Sequence, residues 1–124
     1  MTSSHTKDCD LFAVVSVSDF AAAAAWYEQL LGGPPAFVAH PTESVWELDE
    51  HRYLAVEEEP AHAGHTQLTV FLRDLDAFVA AAEARGLRPD RTETYDNGVR
   101  KALYHDPDGS EIGFGGDPED PESA

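Results

Sequence analysis

Hydrophobic and polar positions follow the same order twice along the chain, in VVSVSDFAAAAAWYEQLLGGPP and in LTVFLRDLDAFVAAAEARGLRP. Each half begins with an apolar stretch typical of a β-strand. An aspartate follows, Asp19 or Asp74, then an alanine-rich stretch, then a glycine with a proline close behind it. Because Asp is a favourable N-cap and Gly followed by Pro ends a helix, the pattern predicts one helix in each half.

Further strands are predicted after each helix from alternation and turn residues. They cover Ala36–His40, Ser44–Asp49, Tyr53–Glu57, Arg88–Tyr95, Val99–His105 and Glu111–Gly115. The turn before the last strand reads DPDG, in which Gly109 is suited to a positive φ. The sequence therefore predicts a single α+β domain over residues 10–116. It consists of two βαβββ modules, about 10–60 and 65–116, which form a curved, mostly antiparallel sheet around a cleft.

The first strand, Leu11–Val17, is apolar at nearly every position. Such a strand is typically covered on both faces. Since side chains alternate, Val15 and Val17 share one face, and Phe12 and Val14 share the other. We expect the first face to pack on a helix and the second to line the cleft.

The composition of the chain limits the classes of partner that the protein is expected to bind. Acidic residues outnumber basic ones 24 to 8, for a formal charge of −16, which disfavours nucleic acids and anionic membranes and favours the approach of a cationic ligand. The single cysteine, Cys9, excludes an intramolecular disulfide, and no stretch has the length of a signal peptide or membrane span. We expect a cytoplasmic protein with a flexible leader at 1–9 and a disordered acidic tail at 117–124.

The segments VSVSDFAAAAAWYEQLLGG, HTQLTVFLRDLDAFVAAAEARGL and YHDPDGSEIGF resemble the vicinal oxygen chelate superfamily over roughly residues 11–115. That superfamily includes glyoxalase I, extradiol dioxygenases, fosfomycin resistance enzymes and bleomycin resistance proteins. In its metal-dependent members, the first and last strands of each half supply His, Glu or Gln ligands. Transferred residue by residue, those positions are Phe12, Ala55, Gln67 and Gly113.

Three of these four positions cannot bind a metal through a side chain, so the resemblance implies a protein without metal or other cofactor. Gly113 is then interpreted as a vacated ligand position, and the alternative, that it relieves a crowded strand, stays open. An apolar, aromatic cleft with a few polar groups is the usual form of a small-molecule site, and flat ligands stack there. The predicted ligand-binding residues are Phe12, Val14, Trp46, Tyr53, Ala55, His65, Gln67, Glu111 and Gly113, with Trp46 dependent on the register of its strand.

The preferred function is metal-free binding of a small aromatic or cationic molecule. The resemblance to bleomycin resistance proteins implies antibiotic resistance by sequestration, and a homodimer with pockets between the subunits. One alternative is a lyase, isomerase or dioxygenase-like enzyme, with a rebuilt metal site at His65, His105 and Glu111 or with acid–base catalysis by His65 or Glu111. A third hypothesis is a regulatory or interaction domain that binds no ligand.

Overall fold

The computed structural model describes residues 4–118, which form two modules with one order of elements. The first contains β1 (Leu11–Val17), α1 (Phe20–Leu31), β2 (Phe37–His40), β3 (Glu43–Asp49) and β4 (Arg52–Glu58). The second contains β5 (Gln67–Leu72), α2 (Leu75–Ala84), β6 (Arg91–Thr94), β7 (Arg100–His105) and β8 (Glu111–Gly116). The predicted pair of βαβββ modules is confirmed. Short 3₁₀ turns occupy Ser4–Thr6, within the predicted leader, and Pro60–His62. Residues 119–124 of the predicted tail lie outside the described residues.

Each module has one four-stranded sheet, ordered β1-β4-β3-β2 in sheet A and β5-β8-β7-β6 in sheet B. The first and last strands of each module pair in parallel, and the remaining neighbours are antiparallel. The sheets are therefore mixed, and mostly antiparallel as predicted. Strand β6 begins at Arg91 rather than at Arg88, since Pro89 has no N–H to donate to the ladder.

Both helices begin at the predicted caps. The Asp19 carboxylate accepts from the Ala22 N–H at 3.1 Å, and the Asp74 carboxylate accepts from the Ala77 N–H at 3.0 Å. Gly32 ends α1 in the left-handed region at φ 90°. Two residues past α2, the backbone turns at Gly86 with φ 94°. No helix among residues 4–118 is long and apolar enough to cross a membrane.

The helix-covered faces of the two sheets share a single core, to which Val15 and Trp46 contribute from sheet A and Tyr104 and Phe114 from sheet B. We call the opposite faces the open faces. Strand register places His40, Glu43, Glu47, Glu57, Phe12, Val14, Phe37, Val45, Tyr53 and Ala55 on open face A. It places Gln67, Thr69, Phe71, Arg91, Glu93, Lys101, Leu103, His105, Glu111, Gly113 and Gly115 on open face B.

The exposure of strand β1 differs from the expectation that it is covered on both faces. Strand β1 is covered on one side only: Val15 is buried, while Phe12 is 45% and Val14 48% exposed. The helix-covered faces of both sheets contribute to the shared core, so each open face lies on the far side of its own sheet from that core. Within one chain, the groove between the two modules is therefore not lined by Phe12 or Val14.

Polar contacts fix one module against the other. The Tyr27 hydroxyl donates to the buried Asp106 carboxylate at 2.8 Å. The Ser18 N–H and hydroxyl both donate to the Asp108 carboxylate, the former at 3.0 Å. At the other end of α1, the Arg85 guanidinium donates to the Gln29 carbonyl at 2.6 Å. The DPDG turn thus holds the second module on the start of α1.

Candidate functional site

An aromatic pair, with Phe12 exposed and Tyr53 partly buried, lies at the centre of the predicted site residues on open face A. Phe12 and Tyr53 are partners in the β1–β4 ladder, and their rings stack with centroids 4.6 Å apart and planes 15° apart. Val14 pairs with the buried Ala55 beside them. Desolvation, then nearby carboxylates such as Asp10, raises the pKa of the Tyr53 phenol, so its hydroxyl stays protonated at neutral pH. This patch offers stacking area and one hydrogen-bond donor.

The residues at the four positions that the resemblance assigns to metal ligands do not fit a metal. Phe12, Ala55 and Gly113 have no side-chain donor atom. Gln67 has an amide, but its Nε2 donates to the Glu111 carboxylate at 2.9 Å. The four positions are also divided between the open faces of two different sheets. No chemistry through a metal follows from them.

The space over Gly113 is occupied by neighbouring side chains. A Cβ added there would lie 2.6 Å from Cε of Lys101, 3.3 Å from Cδ2 of Leu103 and 3.4 Å from Oγ1 of Thr69. Glycine at this position therefore leaves room for the lysine stem to lie across the strand, and a larger residue would displace the end of that side chain. The contacts favour the alternative, in which Gly113 relieves crowding, over an empty ligand position.

A row of polar side chains crosses the start of β8 on open face B. Glu111 accepts from Gln67, and its other oxygen lies 3.9 Å from Nε2 of His105. Nδ1 of His105 lies 3.0 Å from the Asp90 carboxylate. His65 precedes β5 and makes no hydrogen bond or ion pair with residues 4–118. Of the residues in the suggested rebuilt site, the structure brings together His105 and Glu111 but not His65.

One group of His, Cys, Asp or Glu side chains in the described part of the chain has all its ligand atoms within 4.8 Å, and it is elsewhere. It consists of His40, Glu43 and Glu57 on open face A. Nε2 of His40 lies 3.2 Å from the Glu43 carboxylate, and its Nδ1 accepts from the Thr42 N–H at 3.3 Å. The sequence alone does not reveal this group, because its assembly depends on the registers of β2, β3 and β4.

Trp46 does not lie on the same face of sheet A as the aromatic pair. It lies opposite Leu54 in the β3–β4 ladder, one position from Tyr53, so it points to the helix-covered side. Its side chain is 4% exposed, and its Nε1–H donates to the Gly33 carbonyl at 2.9 Å. The register of β3, which the sequence left undecided, makes Trp46 a core residue.

A groove of about 1050 Å³ separates the two modules on their helix-covered sides. Trp46 and Leu48 line it from the first module, and Leu68, Val70 and Phe78 from the second. Among the predicted site residues, it includes Trp46 and Tyr53 but neither Phe12 nor Gly113. The groove is therefore a second surface, lined mainly by helix-covered residues and bordered by Tyr53, Thr69 and Phe71 from the open faces.

Comparisons with known proteins agree with this architecture. The sequence profile of the Glyoxalase/Bleomycin resistance protein/Dioxygenase superfamily matches residues 9–114. A glyoxalase/bleomycin resistance protein from Catenulispora acidiphila is 53% identical with a TM-score of 0.87, covering 90% of this chain and 100% of its own. A search of curated protein sequences found no match.

Two more distant solved structures share the fold alone. A bleomycin-binding protein, solved in complex with bleomycin, is 21% identical with a TM-score of 0.70, over 87% of this chain and 98% of its own. A lactoylglutathione lyase from Agrobacterium tumefaciens is 16% identical with a TM-score of 0.69, over 90% of this chain and 95% of its own. One fold therefore serves proteins whose names describe a binder and an enzyme.

Proposed function

Because the chain belongs to the glyoxalase/bleomycin resistance protein/dioxygenase superfamily, we propose that it binds a small aromatic molecule without a metal. The site is a cleft between open face A of one copy and open face B of a second copy. The observation that carries the proposal is the stack of the exposed Phe12 ring on the partly buried Tyr53 ring. A flat ligand extends such a stack and shields both rings from water.

The second copy is supported by the character of the open faces. Large apolar side chains are exposed on both, with Phe12 and Phe37 on face A and Phe71 on face B. Face A also carries glutamates that no Lys or Arg pairs within residues 4–118, Glu43 and Glu57 among them, whereas face B carries Lys101. A two-fold axis brings face A of each copy against face B of the other, which places the unpaired Lys101 of face B opposite an acidic face.

Sequestration of an antibiotic is the preferred form of this function, by analogy with the related fold solved with bleomycin. The charge of −16 supports a cationic ligand as the other class. We assign the protein to the cytoplasm because its single cysteine, Cys9, is exposed and free.

The test is a thermal-shift screen of antibiotics and aromatic metabolites. A ligand at a hundredfold excess over its Kd stabilises the fold by about 2.7 kcal/mol. Phe12→Ala should then weaken binding by about 1–3 kcal/mol, as at other stacking sites. The matched control is Leu11→Ala. Leu11 is an exposed residue of the same strand, and its side chain borders the groove between the modules. If Leu11→Ala weakens the ligand and Phe12→Ala does not, the ligand binds in the groove and the proposal is wrong.

Elemental analysis of the purified protein tests the metal-free part. We expect no stoichiometric divalent metal, since the four ligand positions lack donors. Calorimetric titration with zinc, nickel, manganese and iron should likewise find no tight site. A tight, saturable site would contradict the proposal, and its loss in Glu57→Gln would assign it to the group at His40, Glu43 and Glu57.

An acid–base enzyme is the second candidate, favoured by the contacts of Asp90 with His105 and of His105 with Glu111. Such a row orients an imidazole beside a carboxylate for proton transfer. Prolonged incubation of any ligand found in the screen, followed by mass spectrometry, separates the candidates. An unchanged ligand supports binding alone. Conversion that is lost in Glu111→Gln would establish the enzyme.

A further inference from the structure

Lys101 lies at the centre of open face B, directly over Gly113. Its Cε is 2.6 Å from where a Gly113 Cβ would stand, and Leu103 and Thr69 border the same space. The ammonium is one bond beyond Cε, so it lies on the open face within a few ångströms of this position. The lysine is only partly exposed, because its stem lies against the strand.

This ammonium has no ion pair or hydrogen bond with any residue of 4–118, in a chain with 24 acidic residues. The nearest strand partner that could pair with it is Glu93, directly opposite on β6. The Glu93 carboxylate instead contacts Arg91 at 3.1 Å and accepts from the Tyr95 hydroxyl at 3.1 Å. The Glu111 carboxylate on β8 accepts a hydrogen bond from the Gln67 amide. The lysine charge is therefore available to a ligand.

We propose that Lys101 binds an anionic oxygen of the ligand, and that the ligand is an aromatic acid rather than a cation. The inference rests on the proposed function, because it requires an aromatic ligand in the cleft. A hydrogen bond from an ammonium to a carboxylate or phenolate is stronger than one between neutral groups, more so where water is excluded. The chain thus supplies, from its own side chain, a positive charge on open face B beside Gly113.

Gly113 has a defined part in this site. An alanine there would collide with Cε of Lys101 and displace the far end of that flexible side chain. In the wild-type background, Gly113→Ala should therefore lower the affinity for an acidic ligand. In the Lys101→Met background, the same substitution should have little further effect, because the charge it displaces is already gone.

The experiment compares three naphthalene probes of similar shape by calorimetry: naphthalene-2-carboxylate, naphthalene-2-carboxamide and 2-(aminomethyl)naphthalene. We expect the wild type to prefer the carboxylate over the amide by about tenfold, the gain of one charge-assisted hydrogen bond. Lys101→Met should abolish that preference and leave the amide affinity unchanged, whereas Lys101→Arg should keep a preference. Circular dichroism of each variant establishes that it is folded.

The matched control is Arg88→Met, which removes one positive charge from an exposed guanidinium paired with Glu83. It should leave the carboxylate preference intact. An equal loss in Arg88→Met and Lys101→Met would overturn the inference, because net charge alone would then explain it. Equal wild-type affinity for carboxylate and amide would overturn it too, while leaving the proposed function in place. If none of the three probes binds, both proposals are wrong.

Discussion

At the scale of single residues, two buried tyrosines carry the same phenol in opposite surroundings. The Tyr27 hydroxyl donates to Asp106, whereas the Tyr104 hydroxyl is buried with no partner among the described residues. Tyr27→Phe leaves a carboxylate oxygen unpaired and should lower the free energy of unfolding by about 1.5–3 kcal/mol. Tyr104→Phe removes an unsatisfied group and should leave that free energy unchanged or slightly raised. Urea unfolding at pH 7 of the two variants measures both, and an equal loss would contradict the assignment.

The hydrogen bond between Tyr27 and Asp106 also makes the stability of the fold depend on pH, in a direction that can be predicted. Burial, and then the Asp106 charge, raises the pKa of Tyr27 far above its ordinary value. The unfolded chain releases this proton near pH 10, so unfolding is favoured above that pH and the contribution of Tyr27 is lost. The stability difference between wild type and Tyr27→Phe should therefore be full at pH 7 and shrink above pH 10. A difference that grows with alkaline pH would contradict this account.

At the scale of elements, the two faces of strand β1 have different roles. One face contributes to the stability of the fold, and the other is proposed to contact the ligand. Val15 is fully buried and Val14 is 48% exposed, although they are neighbours of one residue type. Val15→Ala should cost about 2 kcal/mol of unfolding free energy through lost burial and a cavity. Val14→Ala should cost much less and instead weaken a ligand on open face A. Unfolding and binding measurements on both variants check this, and equal losses of stability would show that β1 is covered on both sides.

Elements were the part of the fold most open to prediction from the sequence. Aspartate caps and glycine stops predicted both helices, because capping depends on a few local groups. Side-chain placement was harder, because it depends on register between strands. For this reason the sequence does not determine on which face of its sheet Trp46 lies. The DPDG turn sets His105 opposite Glu111, and hence Lys101 opposite Gly115, but the reach of the Lys101 stem to Gly113 depends on its side-chain conformation.

At the scale of the molecule, the apolar open faces predict a homodimer. Light scattering at micromolar concentration should give twice the chain mass of 13.5 kDa. Phe71→Glu places a charge on open face B at a side chain that is 58% exposed, and should yield monomers. Val38→Glu is the control, since Val38 is also exposed but pairs with Ser44 on the helix-covered side. A wild-type mass of one chain, or dimers that survive Phe71→Glu, would contradict the proposed cleft.

Because the two open faces belong to different sheets, each on the far side of its sheet from the shared core, each chain contributes one wall to each of two clefts in the proposed dimer. Two variants that each bind the ligand more weakly than the wild type can then complement one another. In a mixed dimer of Phe12→Ala with Lys101→Met, one cleft carries both alterations and the other carries neither. Mixing the two proteins after reversible dissociation should therefore restore sites of wild-type affinity for naphthalene-2-carboxylate. A cleft contained within one chain would gain nothing from mixing.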